Sequence, residues 1–124
     1  MNPKGLAYLL AAGRTLIGIG LMTAPELVGK GWMGKKSKDP RIKLLLRVVG
    51  IRDFVVGLGG VLALSREGGG ARGWILAGAA CDTIDGAATA LARDDLDDGA
   101  ATQLLAIAAP AAIAGPVVAA MLDD

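Results

Sequence analysis

Four apolar segments, each about 20 residues long, constrain this chain more than any other feature of its sequence. They cover approximately residues 5–24, 44–64, 73–92 and 101–122. A helix of about 20 apolar residues spans the hydrocarbon core of a bilayer. No alternation of apolar and polar residues indicates a strand. The sequence therefore predicts one all-α domain, residues 1–124, folded as a four-transmembrane-helix bundle.

The composition favours lipid over water around these helices. Hydrophobic residues make up 53% of the chain, with 19 glycines but only 3% aromatic residues. Small residues let helix backbones approach closely in a membrane, whereas a soluble core of this size uses more large aromatic side chains. The alternative is a soluble helical bundle, which needs a broad polar face on each helix. None of the four segments has such a face.

The basic residues predict an orientation. The two connections at 25–43 and 93–100 carry seven lysines and arginines, against three on the opposite side. The positive-inside rule therefore places both connections in the cytoplasm and both termini outside. A net charge of +1 gives no reason to expect a nucleic-acid partner. The expected partner is the lipid bilayer, with a homo-oligomer or a larger membrane complex left open.

Six ionisable residues interrupt the apolar segments. They are Arg14, Arg47, Arg52, Asp53, Asp82 and Asp85. At about 1.5 Å per residue, five of them fall in one layer roughly 10–15 Å below the inner surface, with Arg47 nearer that surface. A charge at the centre of a membrane helix costs about 2.5–3.5 kcal/mol, so segment 44–64 needs charged partners on other helices. Three arginines and three aspartates predict an electrically neutral intramembrane network.

Two interpretations of this network remain open. It is either a closed set of ion pairs that determines which helix packs on which, or a site for a polar headgroup, an ion or a proton in transit. The first predicts a non-enzymatic accessory or assembly subunit. The second predicts a small proton- or ion-coupled transporter or pore, acting as an oligomer because four helices leave little room for a pathway. With no histidine and a single cysteine, no transition-metal site or other cofactor is expected.

A lipid-modifying enzyme is a third hypothesis, based on the stretch "DTIDGAATALAR". It partly resembles the D-x-x-D-G-x-x-A-R signature of membrane CDP-alcohol phosphotransferases, in which aspartates hold a metal and a cytidine diphosphate. Asp82, Asp85 and Gly86 match, but Thr89 and Ala90 stand where the signature has Ala-Arg. The second half of the signature is missing from the next segment. We therefore interpret the match as coincidence and assign no catalytic or metal-binding residue.

A second resemblance covers nearly the whole chain. It rests on "GRTLIG" followed by a proline, on "GIRD" and on "DTID", that is, on Gly13, Arg14, Gly18 and Pro25, then Gly50, Arg52 and Asp53, then Asp82 and Asp85. These motifs resemble those of an uncharacterised bacterial family of small four-helix integral membrane proteins. The resemblance implies a four-helix fold with a polar layer in the bacterial inner membrane. It implies no activity.

Overall fold

The chain folds into five α-helices, described by a computed structural model for residues 2–124. The helices are α1 (Pro3–Thr23), α2 (Pro25–Met33), α3 (Pro40–Leu64), α4 (Ala71–Leu91) and α5 (Ala100–Ala120). Short 3₁₀ helices lie at Gly34–Lys38 and Arg93–Asp95. The all-α prediction is confirmed for residues 2–124, which contain no β-strand. Two helices, α1 and α5, are long and apolar enough to cross a membrane, whereas α3 and α4 carry most of the predicted polar layer.

The four predicted segments correspond to α1, α3, α4 and α5, with ends that differ by at most four residues. The largest difference is at α3, which begins at Pro40 because Asp39 caps it. The Asp39 Oδ1 atom accepts a hydrogen bond from the Arg41 backbone N–H at 2.9 Å. This bond and the Arg41 guanidinium hold the pKa of the Asp39 carboxyl below its usual value. The helix α2 is an addition to the four-helix prediction.

The long helices form a ring that is open on one side. Each is antiparallel to the next, and α1 packs mainly on α3, α3 on α4, and α4 on α5. Few contacts join α5 back to α1. The ring is closed at one end by α2, which crosses between α1 and α5, and at the other end by direct contact of α1 with α5. Pro110 and Pro116 lie inside α5, which nevertheless continues to Ala120.

The two ends of the bundle are built differently. At the terminal end, where α1 begins and α5 ends, all four long helices meet in one apolar cluster. Its members are Ala7, Ala11, Ala63, Leu64, Ala71, Ile75, Val118, Ala119 and Leu122. At the opposite end, the loop end, α2 lies between the helices. There the Asp97 Oδ2 atom accepts a hydrogen bond from the Lys35 backbone N–H at 3.0 Å, which joins the acidic connection to the basic one.

Glycines allow α1 and α3 to lie backbone to backbone. A Cβ atom on Gly18 would stand 2.5 Å from the Phe54 backbone nitrogen and 2.6 Å from the Gly50 carbonyl oxygen. A Cβ on Gly57 would stand 2.5 Å from the Thr15 backbone nitrogen. Backbone atoms cannot rotate away as a side chain does, so any larger residue at these glycines must separate the two helices.

We expect Gly18→Ala to lower the free energy of unfolding by about 1–3 kcal/mol, the usual cost of overpacking. Gly13→Ala is the matched control on the same helix, because a Cβ there meets no atom within 4 Å. That change should leave stability unaltered or raise it by up to about 1 kcal/mol through helix propensity. Unfolding of the purified protein in detergent, followed by circular dichroism, measures both. Equal effects of the two substitutions would contradict the close packing of α1 on α3.

Candidate functional site

Five of the six predicted polar residues form one continuous chain of ion pairs, which we call the Arg/Asp network. Its members are Arg14 on α1, Arg52 and Asp53 on α3, and Asp82 and Asp85 on α4. Side chains three apart share one face of a helix, so both α4 aspartates point toward α3 and α1. Consecutive residues on a helix diverge by about 100°, so Arg52 reaches α4 while Asp53 lies toward α1.

The geometry joins three helices through two guanidinium groups. Arg14 donates from Nη1 to the Asp53 Oδ1 atom at 3.3 Å and from Nη2 to the Asp82 Oδ2 atom. Arg52 makes a two-pronged contact with Asp85, with Nη1–Oδ1 at 2.9 Å and Nη2–Oδ2 at 2.6 Å. Arg52 also donates from Nε and Nη2 to Asp53 Oδ1, at 3.3 and 3.1 Å. Asp53 is therefore the link between the two arginines.

Burial strengthens these pairs. The Asp53 residue is 7% exposed, and the side chains of Arg14 and Asp82 are 16% and 15% exposed. Charges taken out of water attract each other more strongly, but an unpaired one is costly. Each member of the network therefore depends on its partners, and the helices that carry them are held in one register.

Arg47 is not part of the network, which corrects the prediction of an electrically neutral group of six. Its side chain is exposed, and its Nε atom donates to the Met22 carbonyl oxygen at 3.3 Å. Two arginines therefore face three aspartates, and the network carries a formal charge of 2 − 3 = −1.

Gly78 makes room for the Arg14 guanidinium, a role that sequence reasoning missed. A Cβ on Gly78 would lie 2.8 Å from the Arg14 Nε atom. Gly78 precedes Asp82 by one helical turn, so the two residues share a face of α4. A glycine one turn before a charged residue in an apolar segment is the signal that points to this contact.

A groove opens between α1 and α5, with a volume of about 470 Å³. Four members of the network line it: Arg14, Asp53, Asp82 and Asp85. Apolar side chains from α1 and α5 form its walls, including Leu9, Ile17, Leu104 and Ile107. We call this cavity the α1–α5 groove. A second, smaller cavity of about 20 Å³ lies toward the terminal end, and Arg14 and Asp82 also line it.

The loop end of the groove is closed by α2, which is also hydrogen-bonded to α4. Gly29, Gly31 and Trp32 line the groove there. The Trp32 Nε1 atom donates to the Thr89 Oγ1 atom at 2.9 Å, and this hydroxyl donates to the Asp85 backbone carbonyl at 2.7 Å. The position of α2 is therefore tied to the turn of α4 that carries Asp85.

The carboxylates of Asp82 and Asp85 are both paired with arginines, and both oxygens of Asp85 accept hydrogen bonds from Arg52. Within residues 2–124, no group of three or more His, Cys, Asp or Glu side chains is arranged to hold a metal ion.

Comparison of the chain with protein-family models, with curated proteins and with solved structures finds no match.

A double-mutant cycle on Arg52 and Asp85 tests the strength of the network. We expect Arg52→Gln and Asp85→Asn to show a coupling free energy on the order of 0.5–3 kcal/mol, because the pair is two-pronged and part-buried. The control cycle uses Lys43 and Glu26, a single contact of 3.4 Å that also joins two helices, with side chains 32% and 44% exposed. Its coupling should stay under about 1 kcal/mol. Unfolding of the four variants in detergent gives each value, and equal coupling in the two cycles would contradict a structural role for the network.

Proposed function

We propose that this chain is a small integral membrane protein whose four long helices cross the bilayer and whose Arg/Asp network fixes their packing. In this proposal it acts without catalysis, as an accessory or assembly subunit. The observation that carries the proposal is the reversed distribution of large and small apolar residues between surface and interior.

The surface of the helices is rich in large apolar side chains. Twenty of them are exposed among residues 2–124, including Leu91 at 89%, Leu27 at 77% and Leu16, Ile107 and Ile113 at 68%. On α3 they form a stripe at helical spacing: Leu44, Val48, Ile51, Val55 and Leu62. Monomeric proteins in water rarely expose apolar patches of such extent. Lipid chains are the solvent that these faces suit.

The interior has the opposite composition. In the described part of the chain, eight of the 14 buried hydrophobic residues are alanines, and Gly18, Gly50 and Gly57 are buried at the contact of α1 with α3. Between membrane helices there is no hydrophobic driving force, so close backbone packing and polar contacts hold them together. The glycines allow the close backbone packing, and the Arg/Asp network supplies the polar contacts. The pairing of both guanidinium groups with carboxylates supports a structural role for these charges.

Membrane extraction and cysteine labelling test the proposal. We expect the chain to stay with membranes in alkaline carbonate and to require detergent for release. In a Cys81→Ser background, Lys36→Cys and Asp95→Cys should react with a membrane-impermeant maleimide from one side of the membrane. Gly68→Cys should react only from the other side, because Gly68 lies between α3 and α4 and one span separates it from each of the two connections. Labelling of all three cysteines from one side, or a chain that stays dissolved without detergent, would overturn the four-span arrangement.

A transporter that works as an oligomer is the second candidate function. The observation that favours it is the position of the Arg14–Asp82 pair, which lines both the α1–α5 groove and the smaller cavity. Separation of this pair would join the two spaces along the bundle. Intramembrane charges that line cavities commonly mark ion and proton pathways.

Flux into proteoliposomes tests this second candidate. Transport predicts a proton or cation flux that Asp82→Asn abolishes while the protein keeps its fold. Asp98→Asn is the control, since it removes the same charge from the exposed connection between α4 and α5. That variant should transport like the parent protein. Absence of flux across a screen of protons and monovalent and divalent cations would eliminate transport and leave the accessory role.

A further inference from the structure

The α1–α5 groove has the size and lining of a ligand site. Sites for small organic molecules usually measure about 300–1,000 Å³, are mostly apolar and contain a few placed polar groups. The groove has a volume of about 470 Å³ and combines apolar walls with one charged region. It is open along the side where α1 and α5 barely touch and closed at the loop end by α2. A molecule with one apolar and one polar part fits this division.

The charged region of the groove has an excess of one negative charge, as the two arginines of the network face three aspartates. Both guanidinium groups are already paired with carboxylates, which neutralise their charge. An anionic group of a ligand placed here would lie close to the carboxylates of Asp82 and Asp85 and would be repelled by them. A cation, by contrast, balances the excess charge.

Asp53 supplies an open acceptor. The residue is 7% exposed, and its Oδ1 atom takes all three hydrogen bonds from the two arginines. Its Oδ2 atom accepts no hydrogen bond among residues 2–124, yet no buried polar side-chain atom there lacks a partner. The Oδ2 atom is therefore not fully buried, and Asp53 lines the groove. The Oδ1 atom of Asp82 likewise accepts no hydrogen bond among residues 2–124, and Asp82 lines both the groove and the smaller cavity.

We propose that the α1–α5 groove binds a single-chain amphipathic amine, a lipid-class molecule with a protonated ammonium head. The alkyl chain lies along Leu9, Ile17 and Ile107, and the ammonium group donates hydrogen bonds to Asp53 and Asp82. Entry of the ligand from the bilayer rests on the proposed membrane placement, whereas the selectivity for an amine rests on the groove alone.

Tryptophan quenching tests this proposal directly. Trp32 lines the groove and Trp74 does not, and they are the two tryptophans of the chain. In Trp74→Phe protein in uncharged detergent, a brominated long-chain amine should quench Trp32 saturably. It should do so at a concentration at least about tenfold below that of the matched brominated alcohol or fatty acid, because hydrogen bonds to charged groups are the stronger ones. Trp32→Phe protein reports the background at Trp74 and should show no such preference.

Substitutions assign the selectivity to the groove. Asp82→Asn should abolish the preference for the amine over the alcohol, and Asp98→Asn should preserve it. Since Asp82→Asn also weakens the network, Gly13→Leu provides a second variant: Gly13 lines the groove, and a Cβ there meets no atom within 4 Å. The leucine side chain should fill the groove and prevent saturable quenching of Trp32 by the brominated amine, alcohol and fatty acid.

Equal quenching of Trp32 by amine, alcohol and acid, or a preference that survives both substitutions, would overturn the proposed amine site. Failure of the membrane placement would be recognised separately. In that case the protein stays dissolved without detergent and the cysteines label from one side, whatever the quenching experiment shows.

Discussion

The guanidinium group of Arg14 is the interaction on which the arrangement of the helices depends. It leaves α1 and pairs with Asp53 on α3 and Asp82 on α4, so one charge links three helices. A guanidinium keeps its charge at any ordinary pH and offers donors in fixed directions. Burying it without partners costs several kcal/mol, so packings in which α3 and α4 fail to present their carboxylates are unfavourable. Gly78 then allows α4 to approach closely enough for this contact.

Much of the fold follows from the length and polarity of four segments, but α2 does not. Its nine residues include Gly29 and Gly31, which disfavour a helix in isolation. Packing requires these glycines, because a side chain at Gly29 would collide with Leu46 and one at Gly31 would approach Gln103. Those contacts depend on how the long helices are arranged. Local sequence therefore could not reveal that this stretch is helical.

The network illustrates a second limit. Depth along a helix brings Arg47 near the other charges, but at about 100° per residue it lies about 140° around α3 from Arg52 and points away from α4. The angular position of Arg47 on α3 can be calculated from the sequence. Depth alone wrongly included Arg47 in the Arg/Asp network. The groove is different in kind: it lies where α1 and α5 are separated beyond their contact at the terminal end, and no pattern within either helix encodes a gap between two helices.

The contrast between the two ends of the bundle has a mechanical consequence. At the terminal end the apolar cluster joins all four long helices, and Tyr8 and Ser65 add a hydroxyl contact at 3.1 Å. At the loop end α1 and α5 are held apart, with α2 between them. The terminal end is thus held by direct contact of the long helices, whereas at the loop end α1 and α5 are joined through the nine residues of α2. The position of α2 therefore sets the width of the groove at that end, and a change in its packing on α1 or α5 would widen or narrow the groove while leaving the apolar cluster intact.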